Sequence, residues 1–532
     1  MSTVGETFFN PMRKVLLIFF SCFAVAFCSK ADGLNKHVVV VVWDGMRPDF
    51  INGRNTPTLY DLMHRGVFFA HNRAVYITST EVNGAALATG DYPEHSGIVG
   101  NREFRPETDP LRIFDTQSLQ AIRKGDELGG YLTAPTVAEI LQRRGFRTAI
   151  AGSKPVVLLS DHAERPDDAG SVVLYEGKTL PSSLITNFTG PAILGPFPSE
   201  NGSKTNRDIW TARALTELIW KKDVPAFSLL WLAEPDNTQH QTGVGSAESL
   251  AAIHNSDYAL SRVINELKAR GVFDLTDIFV VSDHGFSSIS RNVDLVAELR
   301  HWGFNAVREF TAPPERGEVL VIGLGGSALI YVIGHEQKTI DQIVNFLQAQ
   351  DFAGPIFTSP AREGTFSLGD GLIHSANAPD IVLSFRWTSD ANPNGARGYI
   401  ISESQGSNLS LGAGQKATHA SLSPFDLHNT LVAAGPDFRQ GFVDETPSGN
   451  VDVAPTVLKI LGITPPQSTD GRVLSEALTD SSETSPKIQT RDLRAHATLP
   501  AGDWTQTLRI NEVSGVEYFD EGTGLFVPHA GQ

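Results

Sequence analysis

The chain has 532 residues, 41% of them apolar and 19% charged, enough to bury one large core and an additional subdomain. Its formal charge of −17 leaves no basic excess with which to displace counterions from a nucleic-acid backbone or an anionic membrane surface. A phosphate-handling site in such a chain needs local positive charge, which metal ions supply.

Arg13 and Lys14 precede an apolar run from Val15 to Phe27, and Ser29-Lys30-Ala31 follows with small residues where a signal peptidase reads them. Residues 1–31 therefore read as a secretory signal, too short in its apolar part to span a bilayer comfortably. The mature chain is expected to be exported to a periplasm or extracellular space without a transmembrane span. Cys22 and Cys28 are the only cysteines, so it would also lack thiols and disulfides. Lipid anchoring at Cys28 is a minor alternative, because Phe27 is larger than the residue usual at such a cleavage site. Asn187, Asn201 and Asn408 begin glycosylation sequons.

Next comes an alternation of short apolar runs and amphipathic segments, the pattern of a mostly parallel sheet with helices on both faces. Val38–Trp43, Phe146–Ala151, Phe227–Leu232 and Ile278–Val281 read as buried strands. Helices are expected after Thr56-Pro57, around Val137–Leu141 and around Leu260–Leu267, each closed by a glycine. From residue 292 the texture changes to two strands, a helix over Thr339–Ala349 and Gly- and Pro-rich loops, an inserted α+β subdomain. The sheet pattern returns with Asn429–Ala434 and a helix over Val453–Leu461. The expected organisation is a signal over 1–31, catalytic α/β core over 32–291 and 416–480, the insertion over 292–415, and a linker with a C-terminal tail over 481–532. The tail is expected to form a small hairpin.

Three segments set acidic or imidazole groups just after strands: Asp44, then Asp236 with His240, then Asp283-His284. In open α/β sheets ligands bind outside the carboxyl ends of the strands, so these side chains should converge on one crevice. Oxygen and imidazole donors without thiolates suit a catalytic zinc or another borderline divalent ion, with positions left for substrate. Of the 15 histidines, His240, His284 and His419 are singled out.

Val42-Trp43-Asp44-Gly45, Thr80-Glu81-Val82-Asn83, the run from Ala88 to Asn101, Glu234-Pro235-Asp236 with His240, and Ser282-Asp283-His284-Gly285 together resemble the type I phosphodiesterase/nucleotide pyrophosphatase branch of the alkaline phosphatase superfamily. The resemblance covers about residues 36 to 475 and implies an alkaline-phosphatase-like fold. It implies two zinc ions, one held by Asp236, His240 and His419, the other by Asp44, Asp283, His284 and the Thr80 oxygen. It also implies that Thr80 is the nucleophile of a phosphate-ester hydrolase. Asn101 and the amide after Thr80 would hold a phosphoryl oxygen. His419 is followed by Ala420, where the family usually has glycine.

Two departures bear on the substrate, a small phosphate ester. Glu81-Val82 stands where nucleotide-cleaving relatives usually carry an aromatic residue and proline, so a stacking surface for a base is missing. Lys154 matches the first lysine of the Lys-x-Arg or Lys-x-Lys segment of monoesterases and phosphonoacetate hydrolases, with Val156 at the second position. Lys154 would meet the extra charge of a monoester or pair with Glu81, so monoester and diester readings both stand. A phosphoethanolamine-type transferase is less favoured for want of several membrane spans, and a non-catalytic metal-binding relative because every expected position is filled. An arylsulfatase is disfavoured, because its nucleophile position is a modified cysteine or serine and the mature chain has no such cysteine. Oligomeric state is left open.

Overall fold

The computed structural model describes residues 36–166, 170–187, 194–199, 204–404, 414–481 and 486–529. The expected signal 1–31 with Cys28, and the sequon residues Asn201 and Asn408, lie outside them.

Strand β1 (His37–Trp43) carries the logic of the core. Val38, Val40 and Val42 enter one apolar cluster and Val39, Val41 and Trp43 another, because successive side chains of a strand point to opposite faces. With helices on both sides, each of these valines is at most 2% exposed, worth about 1.5–3 kcal/mol per side chain relative to exposure. That is why the run is continuously apolar rather than alternating.

Along the chain follow helices α1 (Pro57–Arg65) and α2 (Thr80–Thr89), strands β2 (Thr148–Gly152) and β3 (Phe227–Leu232), helices α3 (Asp236–Thr242) and α4 (Ala247–Ala269), and strands β4 (Thr276–Val281) and β5 (Leu431–Ala434). The main sheet has nine strands in the order Phe442–Asp444, Val67–Phe69, β5, β4, β1, β3, β2, Val172–Tyr175, Lys178–Leu180. The four central strands β4, β1, β3 and β2 are parallel, and β5 runs antiparallel to β4. The pairs Val42 with Val281, Trp43 with Leu232 and Gly152 with Trp231 bring their carboxyl ends to one level. The architecture is the mixed α/β fold expected.

Between β4 and β5 the chain builds a six-stranded sheet, covered by the helix Gln337–Gln348, and a four-stranded sheet that includes Ser287–Val293 and Arg397–Glu403. The stretch after residue 349, read from sequence as loops, contains the strands Ala353–Thr358, Ile381–Phe385, Trp387–Ala391 and Arg397–Glu403. All four are short, and Gly354, Pro355 and Gly398 interrupt two of them, which masks the period.

The tail is more than a hairpin. Ile488–Leu499, Gly502–Val513 and Val516–Pro528 form a three-stranded antiparallel sheet. Its first strand is exposed over most of its length, and the polar stretch 481–490, read from sequence as a linker, takes in its first residues, Ile488–Thr490. Trp504 packs into the six-stranded sheet's core, while Val513, Val516 and Tyr518 pack into that of the main sheet. Arg73 donates to Asp520 at 2.7 Å, and the Tyr518 hydroxyl donates to Asp452 at 2.8 Å, fastening the tail to the core.

Candidate active site

Because β4, β1, β3 and β2 are neighbours and end together, the residues just after them line up along one sheet edge. Asp283 and His284 follow β4, Asp44 follows β1, Asp236 and His240 follow β3, and Lys154 follows β2. The turn after β1 needs Gly45: its φ is +72°, a region L side chains avoid, and a Cβ there would meet Phe286 at 2.9 Å. The Gly45 amide donates to Asp283 Oδ1 at 2.9 Å, tying the β1 and β4 ends together. On the other side, buried Asp208 accepts from the amides of Ala233 at 2.8 Å and Glu234 at 3.1 Å and from the Ser153 hydroxyl, bracing the loops of Lys154 and Asp236. No local sequence signal marks Asp208 for that task.

Two clusters result, Asp44 with Asp283 and His284, and Asp236 with His240 and His419, all six residues buried. Their donor atoms face each other: His284 Nε2 is 3.3 Å from Asp283 Oδ2 and 3.6 Å from Asp44 Oδ1. In the second cluster, His240 and His419 Nε2 lie 3.2 and 3.5 Å from Asp236 Oδ1. The other nitrogen of each ring meets a backbone carbonyl: Nδ1 of His240 at Ala417 (2.9 Å), of His284 at Gly285 (2.8 Å) and of His419 at Thr78 (2.8 Å). Such a bond sets the tautomer in which Nε2 presents its lone pair to the cluster. Asp44 Oδ1, Asp236 Oδ1 and Asp283 Oδ2 are buried acceptors without a hydrogen-bond partner. Orphaned carboxylate oxygens beside aimed imidazole nitrogens fit two divalent cations bound by nitrogen and oxygen, the chemistry suited to zinc.

The electrostatics agree. Burial, then the charge of Asp283, pushes the Asp44 carboxyl well above the usual range, and burial lifts Asp283 to about 7. Burial would raise Asp236 too, but Lys154, His240 and His419 hold it well below. Burial lowers His284 and, with the neighbouring His284, lowers His419 well below the ordinary histidine value, which keeps both neutral and able to ligate. Lys154 spans both clusters, donating to Asp44 Oδ2 at 2.7 Å and to Asp236 Oδ2 at 3.0 Å. It is drawn to these carboxylates, and not into a hydrogen bond with Glu81. Despite burial, they keep it well above its usual pKa.

Thr80 is the first residue of α2, every residue of which is buried. The helix comes this close to the β2 loop because residue 84 is glycine; a Cβ there would meet Val156 at 2.6 Å. Thr80 Oγ1 lies 3.3 Å from His284 Nε2. The Glu81 amide donates to Asn101 Oδ1 at 3.2 Å, which sets the Asn101 side chain beside the helix N-terminus. A cavity of 210 Å³ opens over this constellation, lined by Thr80, Asn101, Lys154, Asp236, His240 and His419. Glu81, Arg102, Asp115, Gln117 and Asn237 line it as well. Of these, the sequence reading missed Arg102, Asp115 and Gln117, which reach the cavity on the ladder Arg102–Phe104 with Ile113–Asp115 and just beyond it. Burial, and next the charge of Asp115, pushes the Glu81 carboxyl well above its usual range.

Residues 38–384 match the family model described as type I phosphodiesterase / nucleotide pyrophosphatase. The mouse bis(5'-adenosyl)-triphosphatase enpp4 is 22% identical over 465 residues, spanning 86% of this chain and 84% of that protein. Human ectonucleotide pyrophosphatase/phosphodiesterase family member 7 is 22% identical over 447 residues, 84% of this chain and 83% of that one. Among solved structures, an inactive form of murine ectonucleotide pyrophosphatase / phosphodiesterase 5 in complex with AMP superposes with a TM-score of 0.57 at 20% identity, covering 81% of this chain and 96% of the other.

Proposed function

As the chain belongs to the type I phosphodiesterase/nucleotide pyrophosphatase family, we propose that it is a phosphodiester hydrolase that works with two zinc ions and a covalent phospho-threonine at Thr80. The observation that carries this reading is the set of three orphaned carboxylate oxygens facing imidazole Nε2 atoms in two clusters, with the Thr80 hydroxyl at the rim of one of them. The relatives with phosphodiesterase or triphosphatase names support the reaction class.

Asp44, Asp283 and His284, with the Thr80 oxygen, would hold one ion, and Asp236, His240 and His419 the other. When bound, the pair supplies positive charge that lowers the pKa of the threonine hydroxyl and offsets charge on the leaving oxygen. Thr80 Oγ1 attacks phosphorus in line; the bond to the leaving alcohol breaks as the bond to Thr80 forms. Water then attacks the phospho-threonine, returns the hydroxyl and releases a phosphate monoester. The Glu81 backbone N–H at the head of α2 holds Asn101 Oδ1, which leaves the Asn101 side-chain N–H groups to donate to a non-bridging oxygen whose charge grows in the transition state. Burial of Thr80, 3% exposed, limits bulk water around the attacking atom.

Lys154 supports a second reading, a phosphomonoesterase or phosphonoacetate-hydrolase-like enzyme, because its ammonium lies at the junction of the two clusters, where a dianionic phosphate would sit. The diester reading is preferred on the family match. Export is retained as part of the proposal; among the described residues no helix is long and apolar enough to cross a membrane. The deciding experiment measures turnover of a chromogenic diester and the matching monoester by zinc-loaded protein, and of the same protein with Thr80→Ala. Faster monoester turnover would favour the second reading, and full activity in Thr80→Ala would remove the covalent mechanism.

A further inference from the structure

Four buried asparagines, Asn72, Asn83, Asn429 and Asn450, form one hydrogen-bonded network that ends on residues of the site. The chemistry of the two clusters assigns nothing to them. Asn83 lies three residues after Thr80 in α2. Its Oδ1 accepts from the Val75 amide at 2.7 Å, and its Nδ2 donates to the carbonyls of Val75 and Ser79, both at 3.1 Å. These bonds hold the loop of residues 75–79 against the start of the helix, where Ser79, the residue before Thr80, makes no side-chain cap. The same loop supplies the Thr78 carbonyl that orients His419. Asn450 makes the link to the other cluster: its Nδ2 donates to Asn83 Oδ1 at 2.9 Å and to the Asp283 carbonyl at 2.8 Å. Its Oδ1 accepts from Asn429 at 3.0 Å and from Asn72 at 3.3 Å.

We propose that Asn83 and Asn450 are positioning residues for the reaction, and that the bond between them sets the Thr80 hydroxyl at its distance from the cluster of Asp44, Asp283 and His284. The inference rests on the phosphodiester hydrolase reading above and adds to it the residues that hold its nucleophile in place. Backbone groups fix the direction of both amides. The Val75 N–H can face only Asn83 Oδ1, and that oxygen and the Asp283 carbonyl can face only the Nδ2 of Asn450. Each of the two side chains thereby uses both donors and both acceptor positions of an amide, which neither a carboxylate nor an aliphatic side chain can do. A buried network satisfied in this way is rigid. In-line attack needs that rigidity, because a displacement of about 1 Å costs on the order of 100-fold in rate. Asn72 supplies the comparison within the molecule. It is equally buried, but its side chain bonds to Asn429, Asn450 and Ser448, one step removed from α2 and Asp283.

The test measures kcat, KM, zinc content and thermal midpoint on the zinc-loaded full chain with bis(4-nitrophenyl) phosphate. Asn83→Ala and Asn450→Ala should each lower kcat by about tenfold or more, with KM within about threefold of wild type and zinc content unchanged. Because both act through one bond, the double variant should stay within about threefold of the slower single variant, where independent effects would multiply. Asn72→Ala should lower the thermal midpoint as Asn450→Ala does, yet keep kcat within about threefold of wild type. A network that only stabilises the fold would not separate these two variants. Should Asn450→Ala fail to fold, Asn450→Ser, which keeps a hydroxyl donor, takes its place under the same expectations. A kcat near wild type in the single variants, or one that falls equally in Asn72→Ala, overturns the positioning role. Zinc lost in proportion to rate overturns it too, as do losses that multiply in the double variant. Wild-type protein that turns over no diester removes the hydrolase reading and this inference with it.

Discussion

The Thr80 hydroxyl lies 3.3 Å from His284 Nε2, at the first residue of a helix buried along its whole length. A hydroxyl fixed this rigidly against one cluster, beside Asn101 and the Glu81 amide, is placed to react with a phosphorus atom held over it. Removing it should cost the chemical step and little else. In Thr80→Ala we expect kcat/KM to fall by about a thousandfold or more while circular dichroism and zinc content stay near wild type, since Asp and His build the rest of both clusters. Thr80→Ser should keep part of the rate. Metal content lost along with activity would recast Thr80 as chiefly a ligand.

Active enzyme should contain two zinc ions per chain by elemental analysis. Chelation should abolish turnover, and added zinc should restore it. Because the ions bind the folded site, their removal should also lower the thermal midpoint; saturation at 100 times Kd corresponds to about 2.7 kcal/mol per site. His240→Ala should hold one equivalent less. One ion or none in fully active protein would contradict the two-cluster reading.

Lys154 bridges the clusters through Asp44 and Asp236, which gives it two separable roles. Lys154→Ala should destabilise the metal-free protein more than the zinc-loaded one, because without cations the lysine alone offsets those buried carboxylates. If the ammonium also meets substrate, monoester kcat/KM should fall by about tenfold and diester kcat/KM less, as the diester lacks the second anionic oxygen. Equal losses on the two esters would leave Lys154 a structural role only.

Asp520 joins the C-terminal sheet to Arg73 at 2.7 Å and to His428 Nε2 at 3.0 Å. Burial opposes its charge, but the His428 bond and Arg73 hold the carboxyl far below its unfolded value of about 3.9. For a depressed acid the stabilisation is complete above the unfolded pKa and is lost as pH falls through the folded one. Asp520→Asn should therefore lower the thermal midpoint at pH 7, and the difference from wild type should shrink steadily below about pH 4. A difference that does not change with pH would mean that packing, not charge, makes the contribution.

Ala420 is fully buried with φ of +81°, a conformation unfavourable for a residue with a Cβ. It directly follows His419, whose backbone carbonyl accepts from the Gly326 amide at 2.7 Å, so the strained turn is held by its surroundings. Ala420→Gly should raise stability by about 1 kcal/mol and retain zinc, read by thermal denaturation with and without chelator. A lower midpoint would show that Ala420 contributes more through its packed methyl group than it costs in strain.

Much of the molecule was legible because its signals are local. The apolar runs Val38–Trp43 and Phe227–Leu232, the second interrupted only by Ser228, read as strands buried on both faces, and Asp44, Asp236, His240, Asp283 and His284 stand at fixed offsets after such runs. The polar strand Ile488–Leu499 was not legible, because a strand with a solvated face lacks a strong apolar period. Tertiary structure alone decided that Lys154 turns to Asp44 and Asp236 rather than to Glu81, since that choice depends on how close the ends of β1, β2 and β3 come. It likewise brought Asp115 to the wall of the cavity that Glu81 also lines, and left Glu81 Oε2 buried without a partner. The sequence by itself determined which chemical groups the site contains, because their identities and offsets are written along the chain. Which of them neutralise one another is decided by distances between segments far apart in sequence, and those exist only once the sheet has aligned its strand ends.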